Sequence, residues 1–361
     1  MSSKLNSLCK ACRMLNEKKQ NILEYDRAQL ISWVESREIK PYRADQILKW
    51  IYLRQADRFD LMTDIAKDIR TLLEDHFTID RLQIENIETS EDGSRKYLFK
   101  LKDGKRIESV LIPERDHYTL CASSQVGCAL DCRFCLTARG GLQRNLSKAE
   151  IVSQVRDVKN ELDDSMPLSN LVFMGMGEPL ANYKNLVAAI EVITDSRLGL
   201  GFAGRRVTVS TAGLVPKLVS LGRDTRVNLA VSLNAADNHT RDRLMPINRK
   251  HPIEKLLEAC RHFPLTGGRR ITFEYVLLKN VNDSEEDALR LAKLLRPIKS
   301  KINLIPFNSH EGCRYQRPDE ETIVRFQKIL IDKNYTVIIR RSKGQDISAA
   351  CGQLAAKAPR Q

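Results

Sequence analysis

The sequence predicts an α/β fold, a parallel sheet wound with helices and either open or curled into a barrel, behind a small helical domain and a β-meander. Three patterns predict it. Beyond Tyr118, short apolar runs alternate with segments of helical period, the signature of repeated βα units. From residue 26 to 77, apolar residues recur at spacings of three and four, as on amphipathic helices. Between 83 and 113 the period drops to two, and Glu91-Asp92-Gly93 and Lys102-Asp103-Gly104 supply turns.

Each element has a local reason. Residues 1–25 form a polar leader carrying Cys9-x2-Cys12, either half of a zinc site or a plain leader, since no second cysteine or histidine pair follows nearby. Residues 26–82 form the helical domain: Leu30, Ile31, Trp33 and Val34 lead one helix, Ala44, Ile47, Leu48, Ile51 and Tyr52 a second, and Ile65, Ile69, Leu72 and Leu73 a third. Pro41 separates the first two, and Arg43, Lys49, Arg54, Arg58 and Lys67 make the polar faces basic, suited to docking RNA or simply solvated. Residues 83–113 form the meander linker, with strands over 82–87, 94–101 and 106–112. The core, 114–345, has strands over 118–123, 171–174, 207–210, 227–232, 271–278, 302–306 and 335–340. Helices are expected over 149–162, 186–194, 216–221, 253–263, 285–295 and 321–333, and residues 346–361 form a terminal segment carrying Cys351. In parallel α/β folds chemistry collects at the C-terminal ends of the strands. There the chain places Cys121, Gly177 and Glu178, Ser210, Ser232 with Leu233 and Asn234, and Asn308.

The 361 residues, 42% of them hydrophobic, suffice for a large core and more than one domain. No apolar run is long enough to span a membrane and no hydrophobic signal core opens the chain, so a cytoplasmic protein without a membrane partner is expected. Its nine cysteines should then be reduced, which favours metal ligation or thiol chemistry over structural disulfides. A net charge of +13 points to a polyanion, nucleic acid above all. The basic groups at Arg205-Arg206, Arg269-Arg270 and Arg340, Arg341 and Lys343 are scattered, so any patch has to be assembled by the fold.

The strongest signal is CASSQVGCALDCRFC, where Cys128, Cys132 and Cys135 stand in the spacing C-x3-C-x2-C. Three thiolates on one loop can each bind one iron of a cubane cluster, leaving a fourth iron open to an external chelate. A structural zinc wants four closed ligands, commonly as two pairs; Cys121 could complete such a set, so zinc stays open at this stage. Phe134 sets an aromatic face beside the last cysteine, where a purine could lie.

GCALDCRFC resembles the cluster loop of the radical S-adenosylmethionine enzymes. CASSQVGC, FMGMGEPLAN, RLMPIN, NLIPFN and DISAACGQL narrow the resemblance to the adenine-C2 methyltransferases of large-subunit rRNA and tRNA, over about residues 25–357. The resemblance implies a partial (β/α)6 radical SAM barrel with a [4Fe-4S] cluster on Cys128, Cys132 and Cys135 and S-adenosylmethionine on its open iron. It implies that Gly177, Glu178, Ser210, Ser232, Leu233, Asn234, Asn308 and Phe134 line the cofactor. Where the family often reads Ser-Leu-His, this chain reads Ser232-Leu233-Asn234, and asparagine cannot ionise.

C2 of adenine is electron-poor and carries an inert hydrogen, so a nucleophile has to carry the methyl group first. By resemblance Cys351 accepts the methyl, Cys121 later attacks the Cys351 sulfur to free the RNA as a disulfide forms, and Glu108 accepts the C2 proton, with Glu114 a local competitor. Implied partners are 23S rRNA at the peptidyl-transferase centre, tRNA at the adenosine 3′ of the anticodon, and an electron donor such as flavodoxin with its reductase; the chain is expected to act as a monomer. Methylation of C8 of the same rRNA adenine, and a zinc-stabilised RNA-binding protein without catalysis, are the alternatives. Cys260 and Cys313 match no functional position.

Overall fold

The computed structural model describes residues 19–163, 165–265, 267–310 and 312–356, so Cys9 and Cys12 lie outside the described residues. Two compact units divide the chain, one ending at Arg81 and including Arg197–Gly199, the other made of Leu82–Ser196 and the chain from Leu200 onward.

In the first unit the periodicity becomes three helices, α1 (Arg27–Glu35), α2 (Tyr42–Tyr52) and α3 (Lys67–His76). Asp26 opens α1 with a reciprocal cap, its carboxylate accepting from the Gln29 N–H while the Gln29 side chain accepts from the Asp26 N–H. Pro41 stands at the N-cap of α2, where no intrahelical donor is needed. The apolar stripes, with Leu30, Val34, Ile47, Ile51 and Leu73, are fully buried, while Lys49, Arg54, Arg58 and Lys67 stay exposed.

The second unit is built on a ten-stranded sheet. In chain order its strands are β1 (Gln83–Thr89), β2 (Arg95–Lys100), β3 (Arg106–Pro113), β4 (Tyr118–Cys121), β5 (Leu168–Phe173), β6 (Val207–Thr211), β7 (Asn228–Ser232), β8 (Ile271–Leu277), β9 (Ser300–Pro306) and β10 (Val337–Ile339). From β1 to β4 neighbours run antiparallel; from β4 to β10 they run parallel. Strand order follows chain order throughout. Every crossover therefore steps the same way, as around a barrel wall, whereas a doubly wound sheet reverses at a switch point. The meander expected as a linker is the antiparallel edge of this same sheet.

Between the parallel strands lie α4 (Lys148–Asn160), α5 (Tyr183–Thr194), α6 (Val215–Asp224), α7 (Ile253–Arg261), α8 (Glu285–Leu295) and α9 (Glu320–Asp332). All six expected helices form, α4 and α8 behind capping boxes from Ser147 with Glu150 and Ser284 with Asp287. Two short helices, Asn238–Leu244 and Ile247–Lys250, were not expected; each is too short to show a period. Among the described residues no helix is long and apolar enough to cross a membrane.

Candidate active site

The three-cysteine loop is held at its neck by a hairpin in which Gln125–Gly127 pairs antiparallel with Leu142–Asn145. The Cys128 N–H donates to the Gly141 carbonyl at 3.0 Å. Gly127 is required here: its φ is +76°, and a Cβ would stand 1.9 Å from the Gly141 oxygen. The loop faces a cavity of about 160 Å³ at the C-terminal ends of the parallel strands, lined by Cys128, Cys132, Cys135 and Phe134. Burial pushes Cys128 up to about 11 and raises Cys132 and Cys135 too; Cys132 has both other thiols as charge neighbours. Among the described residues no three His, Cys, Asp or Glu side chains gather as for a single metal ion. Three thiols around one cavity suit a polynuclear cluster, where each meets its own iron, and an iron–sulfur cluster fits this donor set.

Gly177, Glu178, Ser210, Ser232, Asn234 and Asn308 line the same cavity. Leu233 does not: it is fully buried on the other side of its strand end, because successive side chains alternate. Its carbonyl instead accepts from Arg241 Nε at 2.9 Å. Glu178 is held by the N–H groups of Leu180 at 3.1 Å and Ala212 at 2.8 Å, while burial raises its carboxyl above the usual range against those bonds. A buried carboxylate anchored in this way is set for a cationic group. On the reading that this carboxylate holds S-adenosylmethionine, Glu178→Gln should weaken that binding roughly ten- to hundred-fold, the worth of one charged hydrogen bond, as read by calorimetry. Asn234 lies at a left-handed φ of +58°, which asparagine tolerates. Its amide is engaged by the Val276 N–H at 2.8 Å and by Met245 Sδ at 3.2 Å, so it shapes the wall more than it offers free donors.

The cavity also holds residues that the sequence reading did not single out for it. Glu274 on β8 and Arg340 after β10 line it. Glu274 Oε2 and Asn308 Oδ1 are buried with no hydrogen-bond partner among the described residues, the condition of atoms awaiting a ligand group. Arg340 was grouped with Arg341 and Lys343 as a basic patch, but the fold separates them. Arg341 pairs with Glu320 at 3.0 Å, Lys343 donates to the Pro113 carbonyl, and Arg340 turns inward. There the Cys351 thiol, and then Glu274 and Cys121, hold its guanidinium above its usual range against the cost of burial. Beneath Cys132 lies Arg241, fully buried, its own acidity shifted to about 10 chiefly by that burial.

Cys351, in the segment after β10, lines the cavity beside the cluster loop. The loop and the segment are joined: the Leu136 N–H donates to the Gly352 carbonyl at 2.7 Å and the Thr137 hydroxyl to the Leu354 carbonyl at 2.6 Å. Cys121 ends β4, buried behind Cys351, and both thiols are free. Burial, with Cys351 adding to it, pushes Cys121 up to about 12. Glu108 on β3 is buried but does not line the cavity; its Oε2 accepts from the Ala355 and Ala356 N–H groups at 2.8 and 3.0 Å. Glu114, its competitor, is neighbour to Arg340. Cys260 is buried in α7, and Cys313 packs on the apolar cluster of Ala212, Met245 and Phe307 that also takes Cys132 and Phe134, but neither thiol lines the cavity.

Comparison with known proteins agrees with this arrangement. Residues 123–292 match the radical SAM superfamily, and residues 20–79 match the ribosomal RNA large subunit methyltransferase N-terminal domain. The chain is 58% identical over 337 residues to the dual-specificity RNA methyltransferase RlmN of Desulfosudis oleivorans, covering 93% of this chain and 91% of that one. It is also 58% identical over 316 residues to the RlmN of Geobacter sulfurreducens, covering 88% and 86%. A crystal structure of a radical SAM methyltransferase from Sphaerobacter thermophilus superposes with a TM-score of 0.88 at 40% identity, over 94% of this chain and all of that one. With the cluster loop, the cofactor cavity and the paired cysteines on one fold, this chain belongs to the RlmN family of dual-specificity RNA methyltransferases, within the radical SAM superfamily.

Proposed function

We propose that this enzyme methylates C2 of an adenine in 23S rRNA, at the peptidyl-transferase centre, and in tRNA, 3′ of the anticodon, with Cys351 as methyl carrier and Cys121 as resolving thiol. The observation that carries this reading is the placement of Cys351 on the wall of the cavity lined by Cys128, Cys132 and Cys135, with the buried Cys121 near enough to be its charge neighbour. In this reading those three thiolates hold a [4Fe-4S] cluster, which when bound supplies the electron that cleaves S-adenosylmethionine to a carbon radical. That electron comes from a donor of the flavodoxin class.

The protein's own groups do the rest. Glu178, Ser210, Glu274 and Asn308 orient the cofactor's amino, ribose and adenine groups. Cys351 Sγ takes a methyl by displacement, with the Arg340 guanidinium beside it on the same cavity wall. Once that methyl has given a hydrogen atom to the 5′-deoxyadenosyl radical its carbon is joined to C2; Glu108 accepts the C2 proton, and the one electron left over would return to the cluster when bound. Cys121 Sγ then attacks Cys351 Sγ: the S–S bond forms, the bond from sulfur to the transferred carbon breaks, and its electron pair returns to the product, which takes up a proton. The adenine has to leave its stack to reach this cavity, at a cost of about a few kcal/mol, offset by phosphate contacts to the basic helical unit.

Because Cys121 is held protonated near neutrality, release depends on its thiolate. Below about 12 each pH unit raises the thiolate fraction about tenfold, so single-turnover RNA release should accelerate by that factor between neutral and mildly alkaline pH. Quenched-flow analysis of the adduct would show it. The function itself is tested by anaerobic reconstitution with iron and sulfide, then incubation with S-adenosylmethionine, reductant and rRNA or tRNA separately. Mass spectrometry of digested RNA should find 2-methyladenosine in both. Finding 8-methyladenosine instead, or no methyladenosine, would overturn the reading.

A further inference from the structure

The segment carrying Cys351 is fastened on both sides by one pair of charges from the sheet. Lys96 on β2 donates from Nζ to the Ile347 carbonyl at 2.5 Å, before Cys351. Glu108 on β3 accepts the successive N–H groups of Ala355 and Ala356, after it. Glu108 pairs across the strands with Leu98, so Lys96, two residues along, shares its face of the sheet. Lys96 Nζ stands 3.8 Å from Glu108 Oε1 and 3.1 Å from Glu88 Oε1, with the Lys96 and Glu108 side chains only 8% and 7% exposed. Further out, Asp346 accepts from the Ser90 hydroxyl at 2.6 Å and Asp92 from the Gly344 N–H at 2.7 Å.

The consequence concerns the proton acceptor. Both backbone N–H groups bond Glu108 Oε2, and Oε1 faces the Lys96 ammonium, so the carboxylate is occupied while the segment is in place. It also faces the segment and not the cavity. We infer that Lys96 and Glu108 form a clamp on the Cys351 segment, and that Glu108 becomes available to accept a proton only when the segment lifts off it. The clamp thereby orders the reaction. While it is closed Cys351 is presented to the cofactor cavity; once Cys351 is drawn onto the RNA base the Ala355 and Ala356 amides leave Glu108, whose Oε2 is then open to a proton. Lys96 acts through the segment and is a positioning residue, not a catalytic one. This rests on the reading of Cys351 as methyl carrier, yet the clamp is measurable without turnover.

Hydrogen exchange and iodoacetamide labelling of Cys351 on the holoenzyme test it. Glu108→Ala should speed exchange at Ala355 and Ala356 roughly ten- to hundred-fold, as for loss of a charged hydrogen bond, while amides of β5–β8 stay protected. Lys96→Met should speed Cys351 labelling, and Lys96→Arg, which can still reach the Ile347 carbonyl, should restore it. In the Cys121→Ala enzyme carrying covalently bound RNA, the same two amides should have lost their protection. Unchanged exchange in Glu108→Ala, or full protection at both amides in the RNA adduct, would overturn the clamp. If the clamp results hold but no adduct forms with any RNA, the failure belongs to the methyl-carrier reading instead.

Discussion

Replacing Cys351 with alanine should abolish RNA methylation and leave no covalent complex, whereas replacing Cys121 with alanine should abolish turnover while trapping RNA on the protein. The asymmetry follows from position. Cys351 lines the cavity, on a segment bonded to the cluster loop at Leu136 and Thr137, so in the proposed relay this is the sulfur that carries the methyl. Cys121 is 7% exposed at the end of β4, behind Cys351, and reaches no part of the cavity wall. It can only attack the sulfur in front of it. Without it the carrier stays bonded to the RNA, and a denaturing gel should show a protein band shifted by the RNA's mass. The trapped fraction should approach the active fraction of enzyme in one turnover. Release of methylated RNA from both variants at the normal rate would exclude the two-thiol relay.

Arg241→Leu should have the largest effect on stability. Arg241 is fully buried and donates to the Leu233 carbonyl at 2.9 Å, the Ala212 carbonyl at 2.6 Å, the Ser232 carbonyl at 3.2 Å and Asn248 Oδ1 at 2.9 Å. These acceptors belong to the segments that follow β6 and β7 and to the short helix beyond. One guanidinium thus knots the loops that carry part of the cavity wall. Leucine has similar bulk but no donor, and each buried acceptor left unpaired costs about 1–3 kcal/mol. Since such losses are not additive, a destabilisation of roughly 3–5 kcal/mol is expected, a large share of a typical margin of about 5–15 kcal/mol. Urea unfolding should show a lower midpoint at an unchanged slope. Arg241→Lys keeps a charge but cannot span all the acceptors, and should fall between.

Legibility from sequence tracked how local each signal is. The cluster loop was readable because three ligands on one loop must lie close in sequence. The βα alternation was readable because each strand and helix writes its own period. Leu233 was misplaced by one side-chain alternation: Ser232 and Asn234 share a face that their neighbour cannot share. Arg340 looked like part of a basic patch because a charge reads the same in a string whether it turns out to solvent or in toward Cys351 and Glu274. Arg241 gave no signal, since its four acceptors come from three separate stretches and its helix, at 7 residues, is only about two turns long at 3.6 residues per turn. Glu108 was visible as a carboxylate on a strand, but its occupation by the Ala355 and Ala356 amides was not.

By itself the sequence determined the fold class, the three-cysteine loop and the family, because these rest on periodicity and on motifs within single loops. Only the tertiary structure decided that Cys121 stands behind Cys351, that Arg340 and Glu274 face the cavity, and that Lys96 and Glu108 grip the segment between them. Those relations join groups up to 251 positions apart, as from Lys96 to Ile347. Chain closure on that scale is set by the order of strands in the sheet and the packing of its ends, which no local pattern encodes.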